Sequence, residues 1–260
     1  MESIQESVLK TLDSSEKELY RFFSYILQDL WEMGASPEEI ISLVKKHSAG
    51  FDKLKVLDLG CGKGAVSVKL SKELGCNCYG IDAVPEFVEY ARQKAREFNV
   101  GNRCKFETGD IRERVKELSG FDIVVLGAIG PVFGDYYDTL TKLSGCINKN
   151  GFFIIDDGYI NDNSDFSYPL ILKESDLKNQ IQKAEMELID NVIIDSDEQR
   201  DVDEIIFKSI KKRCFELIEK YPDKQNIFFE YLKRQESEND IIENVITVAV
   251  LVVKKKRQGV

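Results

Sequence analysis

Between Lys55 and Ile155, short apolar segments alternate with amphipathic ones, and glycine-bearing turns mark several of the junctions. No other feature of the sequence restricts the fold so strongly. A short β-branched run reads as a strand, and a longer segment with a period of about 3.6 residues reads as a helix. The strands expected on this basis are 55–59, 77–81, 104–108, 122–126 and 151–155, with helices near 64–74, 85–98, 111–118 and 135–148. Such alternation builds a parallel sheet covered by helices on both faces. The run Phe121-Asp122-Ile123-Val124-Val125-Leu126 has the near-continuous apolarity of a strand buried on both sides.

Past Asp156 the rhythm changes. A helix is expected near 175–185, a strand near 187–194, helical segments up to about Asn239, and a final strand over 243–253. The intervening stretch is too long for a hairpin loop, so 196–241 reads as a helical insertion and a candidate lid over the core of 51–195. Residues 242–260 supply the last strand and a basic tail. The acidic run Asp195, Asp197, Glu198, Asp201, Asp203 and Glu204 reads as a solvated face, or as a surface for a cationic amine.

Residues 1–50 read as a helical cap. Ser15-Glu16-Lys17-Glu18 has the form of a capping box, and Leu19, Phe22, Phe23, Ile26, Leu27, Leu30 and Trp31 then recur on one helical stripe. A second helix is expected from Ser36-Pro37, with Pro at its first position, to about His47. It either packs against the sheet or closes over a ligand.

Composition narrows the function. A net charge of −10, with Lys254-Lys255-Lys256-Arg257 as the only basic run, disfavours nucleic acid, whose binding needs clustered cations to release counterions. The longest apolar run, Val245 to Val253, is about half the length of a membrane helix, and Met1 to Glu6 lacks the blocks of a secretory signal. A cytoplasmic protein is expected. The 6 cysteines show no CxxC pair or zinc-type spacing, so reduced, buried thiols are expected rather than a metal. With His47 the only histidine, a histidine-rich metal centre or a Ser-His triad has almost no material.

The strongest chemical signal is Val56-Leu57-Asp58-Leu59-Gly60-Cys61-Gly62-Lys63-Gly64, a strand running into a glycine-rich turn and a helix. Glycines let the backbone approach a ligand closely. The spacing is GxGxG rather than the dinucleotide GxGxxG. Asp58 would repel a pyrophosphate but suits an ammonium group. Asp82, ending Tyr79-Gly80-Ile81-Asp82, lies where an acid accepts both ribose hydroxyls, and Ala83 and Val84 are small and apolar enough to lie along an adenine. Asp110, in Glu107-Thr108-Gly109-Asp110-Ile111, is placed to accept from the adenine amino group with the Ile111 amide nearby. The alternatives at these positions are helix caps. Together, however, the three acids fall at the carboxyl ends of neighbouring strands, where open α/β sheets bind ligands.

This ordered set, over about residues 53–157, resembles the class I S-adenosylmethionine-dependent methyltransferases. Val56–Gly64, Gly80–Asp82, Gly109-Asp110 and Phe121–Gly127 are similar to the family's first four motifs, and Lys149-Asn150-Gly151 to the turn before its fifth strand. Leu126 to Gly134 with Asp156 to Tyr159 is similar to a poorly characterised microbial small-molecule branch. The resemblance implies a doubly wound, seven-stranded, mostly parallel Rossmann-like sheet with an antiparallel last strand. It implies S-adenosylmethionine as cofactor, S-adenosylhomocysteine as product and a small-molecule acceptor. Carried over, it sets Asp58, Gly60, Cys61 and Gly62 near the methionine part, Asp82 and Ala83 at the ribose and adenine, and Gly109, Asp110 and Ile111 at the adenine. The Leu126 and Gly127 carbonyls would face the cofactor's amino group. Leu126-Gly127-Ala128-Ile129 replaces the Asn/Asp-Pro-Pro-Tyr/Phe motif of amino-directed DNA and glutamine methyltransferases, which counts against those substrates. Asp156, Asp157 and Tyr159, read as lying just beyond the fifth strand, are the candidate bases, and Tyr20, Tyr25, Phe133, Tyr136 and Tyr137 a candidate acceptor pocket. Competing readings are a cofactor-binding module without turnover, a protein methyltransferase and a nicotinamide oxidoreductase. Asp58 and the GxGxG spacing oppose the last.

Overall fold

The computed structural model of the chain describes residues 3–168 and 171–256. The beginning Met1-Glu2 and Arg257 of the basic run lie outside these described residues. Seven strands form one sheet in the order β3-β2-β1-β4-β5-β7-β6. They are β1 Lys55–Leu59, β2 Asn77–Asp82, β3 Cys104–Thr108, β4 Phe121–Gly127, β5 Ile147–Ile160, β6 Met186–Ile193 and β7 Ile246–Lys255. β1 to β5 are parallel, while β7 runs antiparallel to both neighbours. The expected doubly wound sheet with a reversed last strand is therefore present.

Alternation along each strand divides the core. Val56 of β1 faces one side with Ile40, Ile41 and Val44 of α3 (Pro37–His47), Val66 and Leu70 of α4 (Ala65–Leu74), and Val88 and Ala91 of α5 (Pro85–Glu97). Leu57 and Leu59 face the other side. They meet Ile111 of α6 (Ile111–Arg114), Leu140 and Leu143 of α7 (Tyr136–Leu143), and Leu177 and Ile181 of α8 (Glu174–Lys183). Of the two readings of the second N-terminal helix, α3 takes the first and packs on the sheet. His47, in its last turn, lies 2.6 Å from Asp190 of β6 and edge-on to Phe152.

The first N-terminal helix is not as expected. Residues 17–31 do not form one long helix: a 3-10 segment, Lys17–Phe22, runs into a single α-turn, α2 (Phe23–Ile26), and the chain then leaves the helical path. The Ser15 box does not form; instead the Ser14 hydroxyl accepts from the Glu16 amide at 3.1 Å. The same apolar stripe still faces inward, since three-residue spacing serves a 3-10 turn equally well. A capping box does form between Ser3 and Glu6, opening α1 (Ile4–Thr11).

The insertion is a helical hairpin, α9 (Ser196–Lys220) and α10 (Gln225–Val245), opened by Asp195, whose side chain accepts from the amides of Asp197 and Glu198. It shares a third apolar cluster with the N-terminal segment, in which Leu9, Phe22 and Phe23 meet Cys214, Phe228 and Tyr231. Phe22 lies edge-on to Phe228 at 5.1 Å.

β5 is longer than expected. Lys149-Asn150-Gly151 is an irregularity inside it, where the pairing shifts between Phe121↔Ile147 and Ile123↔Phe152. A Cβ at Gly151 would come within 2.8 Å of the Asp122 carbonyl, so only glycine allows that approach. Asp156, Asp157 and Tyr159 are thus strand residues paired to β7, not loop residues. No described helix is long and apolar enough to cross a membrane, and the 6 cysteines are free and buried.

Candidate functional site

The strand order reverses between β1 and β4, and a cleft opens at their carboxyl ends, the position where doubly wound sheets bind ligands. Gly60 and Gly62 after β1, Asp82 and Ala83 after β2, and Gly109, Asp110 and Ile111 after β3 line one wall. Gly127 lines it from the end of β4. Gly60 (φ +70°) and Gly62 (φ +49°) hold left-handed backbone that β-carbon-bearing residues rarely adopt. A Cβ on Gly60 would reach within 2.5 Å of Ile129 Cγ2. The Ile81 carbonyl accepts from the Gly60 amide at 2.9 Å and from the Cys61 amide at 3.1 Å, docking the turn onto β2.

Asp82 is held by backbone. One carboxylate oxygen accepts from the Gly62 amide at 2.8 Å and the other from the Val84 amide at 2.9 Å. Burial nevertheless raises its pKa above the ordinary carboxylate value. Asp110 caps α6 by accepting from the Arg112 amide at 2.9 Å, and also receives the Arg112 guanidinium, the closest contact being 2.7 Å. That guanidinium holds the Asp110 pKa low. Both side chains line the cleft.

Asp58, Cys61 and Leu126 do not reach the wall. Asp58 is 3% exposed and points to the α4 side of β1, where it accepts from the Ser67 hydroxyl at 2.6 Å. Burial pushes its pKa up to about 6, and the charge of Asp82 adds to the rise. Cys61 is buried beneath the turn, its thiol pushed well up by burial. Leu126 is packed with the α7–α8 side of the core.

The candidate bases are likewise off the wall. Asp156 accepts from the Ser36 amide at 2.6 Å and is 3% exposed, with its pKa pushed up to about 6 by burial. Asp157 accepts from the Tyr136 hydroxyl at 2.9 Å and the Gly158 amide at 2.8 Å. Tyr159 is buried in the core. The candidate aromatic pocket disperses too. Phe133 is buried, Tyr137 is exposed, Tyr25 bonds Glu216, and none of the five lines the cleft.

What the sequence reading missed is the facing wall. Ile4, Ser7, Val8 and Thr11 of α1 and Leu12 just after it lie across the cleft, joined by Met33, Ile129 and Val132. The Thr11 hydroxyl lies 3.1 Å from the Ser7 carbonyl and 3.4 Å from that of Ile129, tying the helix to the loop after β4. The Ser-x-x-Glu signature at Ser3 and Glu6 announces this helix, but nothing local announces where it docks.

A seven-stranded sheet with this order, and with its glycine turn at the point of reversal, is that of the methyltransferase-like α/β proteins. Residues 51–220 match the family described as "Methyltransferase domain", and the chain belongs to that family. The chain is 32% identical over 92 residues to the "Probable cobalt-precorrin-6B C(15)-methyltransferase (decarboxylating)" of Pyrobaculum aerophilum, covering 35% of this chain and 47% of that protein. It is 28% identical over 121 residues to the ubiquinone biosynthesis O-methyltransferase of Rickettsia felis, covering 45% of this chain and 47% of that one. These matches span about half the length of each relative. A Geobacter sulfurreducens S-adenosylmethionine-dependent methyltransferase, solved in complex with S-adenosyl-L-homocysteine, superimposes with a TM-score of 0.75 at 18% identity, covering 91% of this chain and 98% of that one. At that identity the likeness is one of fold.

Proposed function

We propose that the chain transfers a methyl group from S-adenosylmethionine to a small-molecule acceptor, leaving S-adenosylhomocysteine. One observation carries this reading: the glycine turn, Asp82, Asp110 and Gly127, from the ends of four adjacent strands, share one cleft. The residues suit the ligand. Left-handed Gly60 and Gly62 leave room for the methionine end, and Asp58 supplies a buried countercharge behind them. Asp82 keeps lone pairs for two ribose hydroxyls. Ala83 and Val84 lie along the adenine, and Asp110 with the Arg112 guanidinium and the Ile111 amide bounds its polar edge. The Gly127 carbonyl, at the end of β4, accepts from the ligand's amino group.

The cofactor supplies a sulfonium-activated methyl, which leaves the protein the task of holding acceptor and methyl in line. Among the described residues, the cleft wall offers two carboxylates, both already hydrogen-bonded, one arginine, and no lysine, histidine or tyrosine. This favours an acceptor whose nucleophile attacks without surrendering a proton to the protein. In this reading 51–195 with 242–260 is the cofactor-binding core, and 1–50 with 196–241 is cap and lid. A cytoplasmic site of action completes it, supported by the free thiols.

Calorimetry with S-adenosylhomocysteine and NAD side by side is the test. Micromolar S-adenosylhomocysteine binding without NAD binding is expected, and tighter NAD binding overturns the proposal. Label from the cofactor's methyl group should then appear in the small-molecule fraction rather than in protein.

A further inference from the structure

We infer that Lys63 and Asp156 are positioning residues that clasp the segment 27–36 across the glycine turn, so that this strap, rather than the sheet, closes the cofactor's methionine end. The inference rests on the reading of the cleft given above. The strap runs between α2 and α3, and its middle residues, 31–35, belong to no helix or strand. Two groups in the sheet's own motifs hold it. Lys63, inside the glycine turn, turns its side chain away from the cleft. Its ammonium donates to the Leu27 carbonyl and, at 2.6 Å, to that of Leu30. The Trp31 indole returns a bond to the Lys63 carbonyl at 3.1 Å. At the far end Asp156 takes the Ser36 amide. The strap is also tied by ion pairs of Glu32 with Lys69 and, at 2.6 Å, of Asp29 with Arg213 of α9.

Between these clasps the strap lies directly on the ligand-facing backbone. The Met33 methyl sits 2.7 Å from where a Cβ on Gly62 would stand, and the Ala35 Cβ 2.9 Å from where one on Gly127 would stand. Lys63 is 3% exposed and lies under the rings of Tyr90 at 4.9 Å and Phe87 at 5.6 Å. A lysine and an aspartate are rarely buried to this degree without a specific partner. Here the partners are strap carbonyls in one case and a strap amide in the other. Burial draws the Lys63 pKa down to about 8 and the Asp156 pKa up to about 6, so each charge is held at a cost that the clasp offsets. Asp156, a candidate base by position, acts here through Ser36.

The experiment compares the wild type with Asp156→Ala, Asp156→Asn and Lys63→Met, measuring S-adenosylhomocysteine affinity by calorimetry and amide hydrogen exchange over 27–36. Loss of a charged hydrogen bond to a buried amide should weaken affinity by about tenfold or more and speed exchange by a similar factor in Asp156→Ala. Asp156→Asn keeps an acceptor for Ser36 and should recover most of both. Lys63→Met, at the other clasp, should speed exchange over 27–31 even if Asp156→Ala folds poorly. Unchanged exchange in Asp156→Ala and Lys63→Met overturns the inference. If the wild type fails to bind S-adenosylhomocysteine, the reading of the cleft falls, and the exchange rates alone decide the clasp.

Discussion

Replacing Asp58 by Asn should make the protein more stable and a poorer binder. The carboxylate is 3% exposed, and burial lifts its pKa from an ordinary 3.8 to about 6. At 1.36 kcal/mol per pH unit, an ionised Asp58 therefore costs the folded state about 3 kcal/mol at neutral pH. The sign follows from proton counting. Between pH 4 and 6 the native chain holds a proton that the unfolded chain has lost, so this group's contribution falls as pH rises through that window and is flat above it. The Asp58→Asn side chain keeps an oxygen to accept from the Ser67 hydroxyl, while its buried amide hydrogens forfeit about 1 to 2 kcal/mol if they find no partner. The expected gain at pH 7.5 is thus about 1 to 2 kcal/mol, and at pH 4 the variant should be the less stable of the two. Urea denaturation of both proteins at the two pH values measures it. An Asp58→Asn protein shifted equally at both values would refute the assignment of a buried, neutral-favouring acid. The same variant should bind S-adenosylhomocysteine about tenfold more weakly or worse, because the ligand's ammonium loses its countercharge. Unchanged affinity would make Asp58 an element of the fold alone.

Asp82→Ala removes two charge-assisted acceptor positions and should weaken S-adenosylhomocysteine binding by about 100-fold in calorimetry, with Asp82→Asn intermediate. Gly60→Ala, with φ +70° and Ile129 in the way, should lose about 2 kcal/mol or more of stability, whereas Gly120→Ala, at φ +82° with open space around it, should lose about 1 kcal/mol. Equal melting temperatures for the two would contradict the close approach at Gly60. Phe228→Ala should cost about 3 to 5 kcal/mol in chemical denaturation, since the ring is fully buried against Phe22.

The sheet was legible because its strands carry their own signals. The five expected parallel strands, each closed by glycine or an acid, match those observed to within a residue or two, apart from the early start and late end of β5. That exception has a cause: Asp156 and Asp157 look like loop residues, but Ser36, Tyr136 and Gly158 supply their hydrogen bonds, so a polar pair can stay in a strand. Asp82, Asp110 and the glycines could be placed on one edge from topology alone. Asp58 could not, because alternation along β1 decides which face it takes, and Ser67 decides its partner. The opposite wall was hidden for a different reason. The docking of α1 and the path of 27–36 depend on contacts with residues more than a hundred positions away, such as Ile129 and Asp156. A periodic stripe cannot distinguish a long helix from a 3-10 turn and a strap that share the same inward face.

The third apolar cluster joins residues about 200 positions apart in the chain, Phe22 and Phe23 to Phe228 and Tyr231. A ribosome must therefore pass Tyr231 before Phe22 and Phe23 find their seat. The strands β1 to β5 can pair earlier. The cover of the cleft is thus built from both ends of the chain, α1 and α2 from one and α9 and α10 from the other.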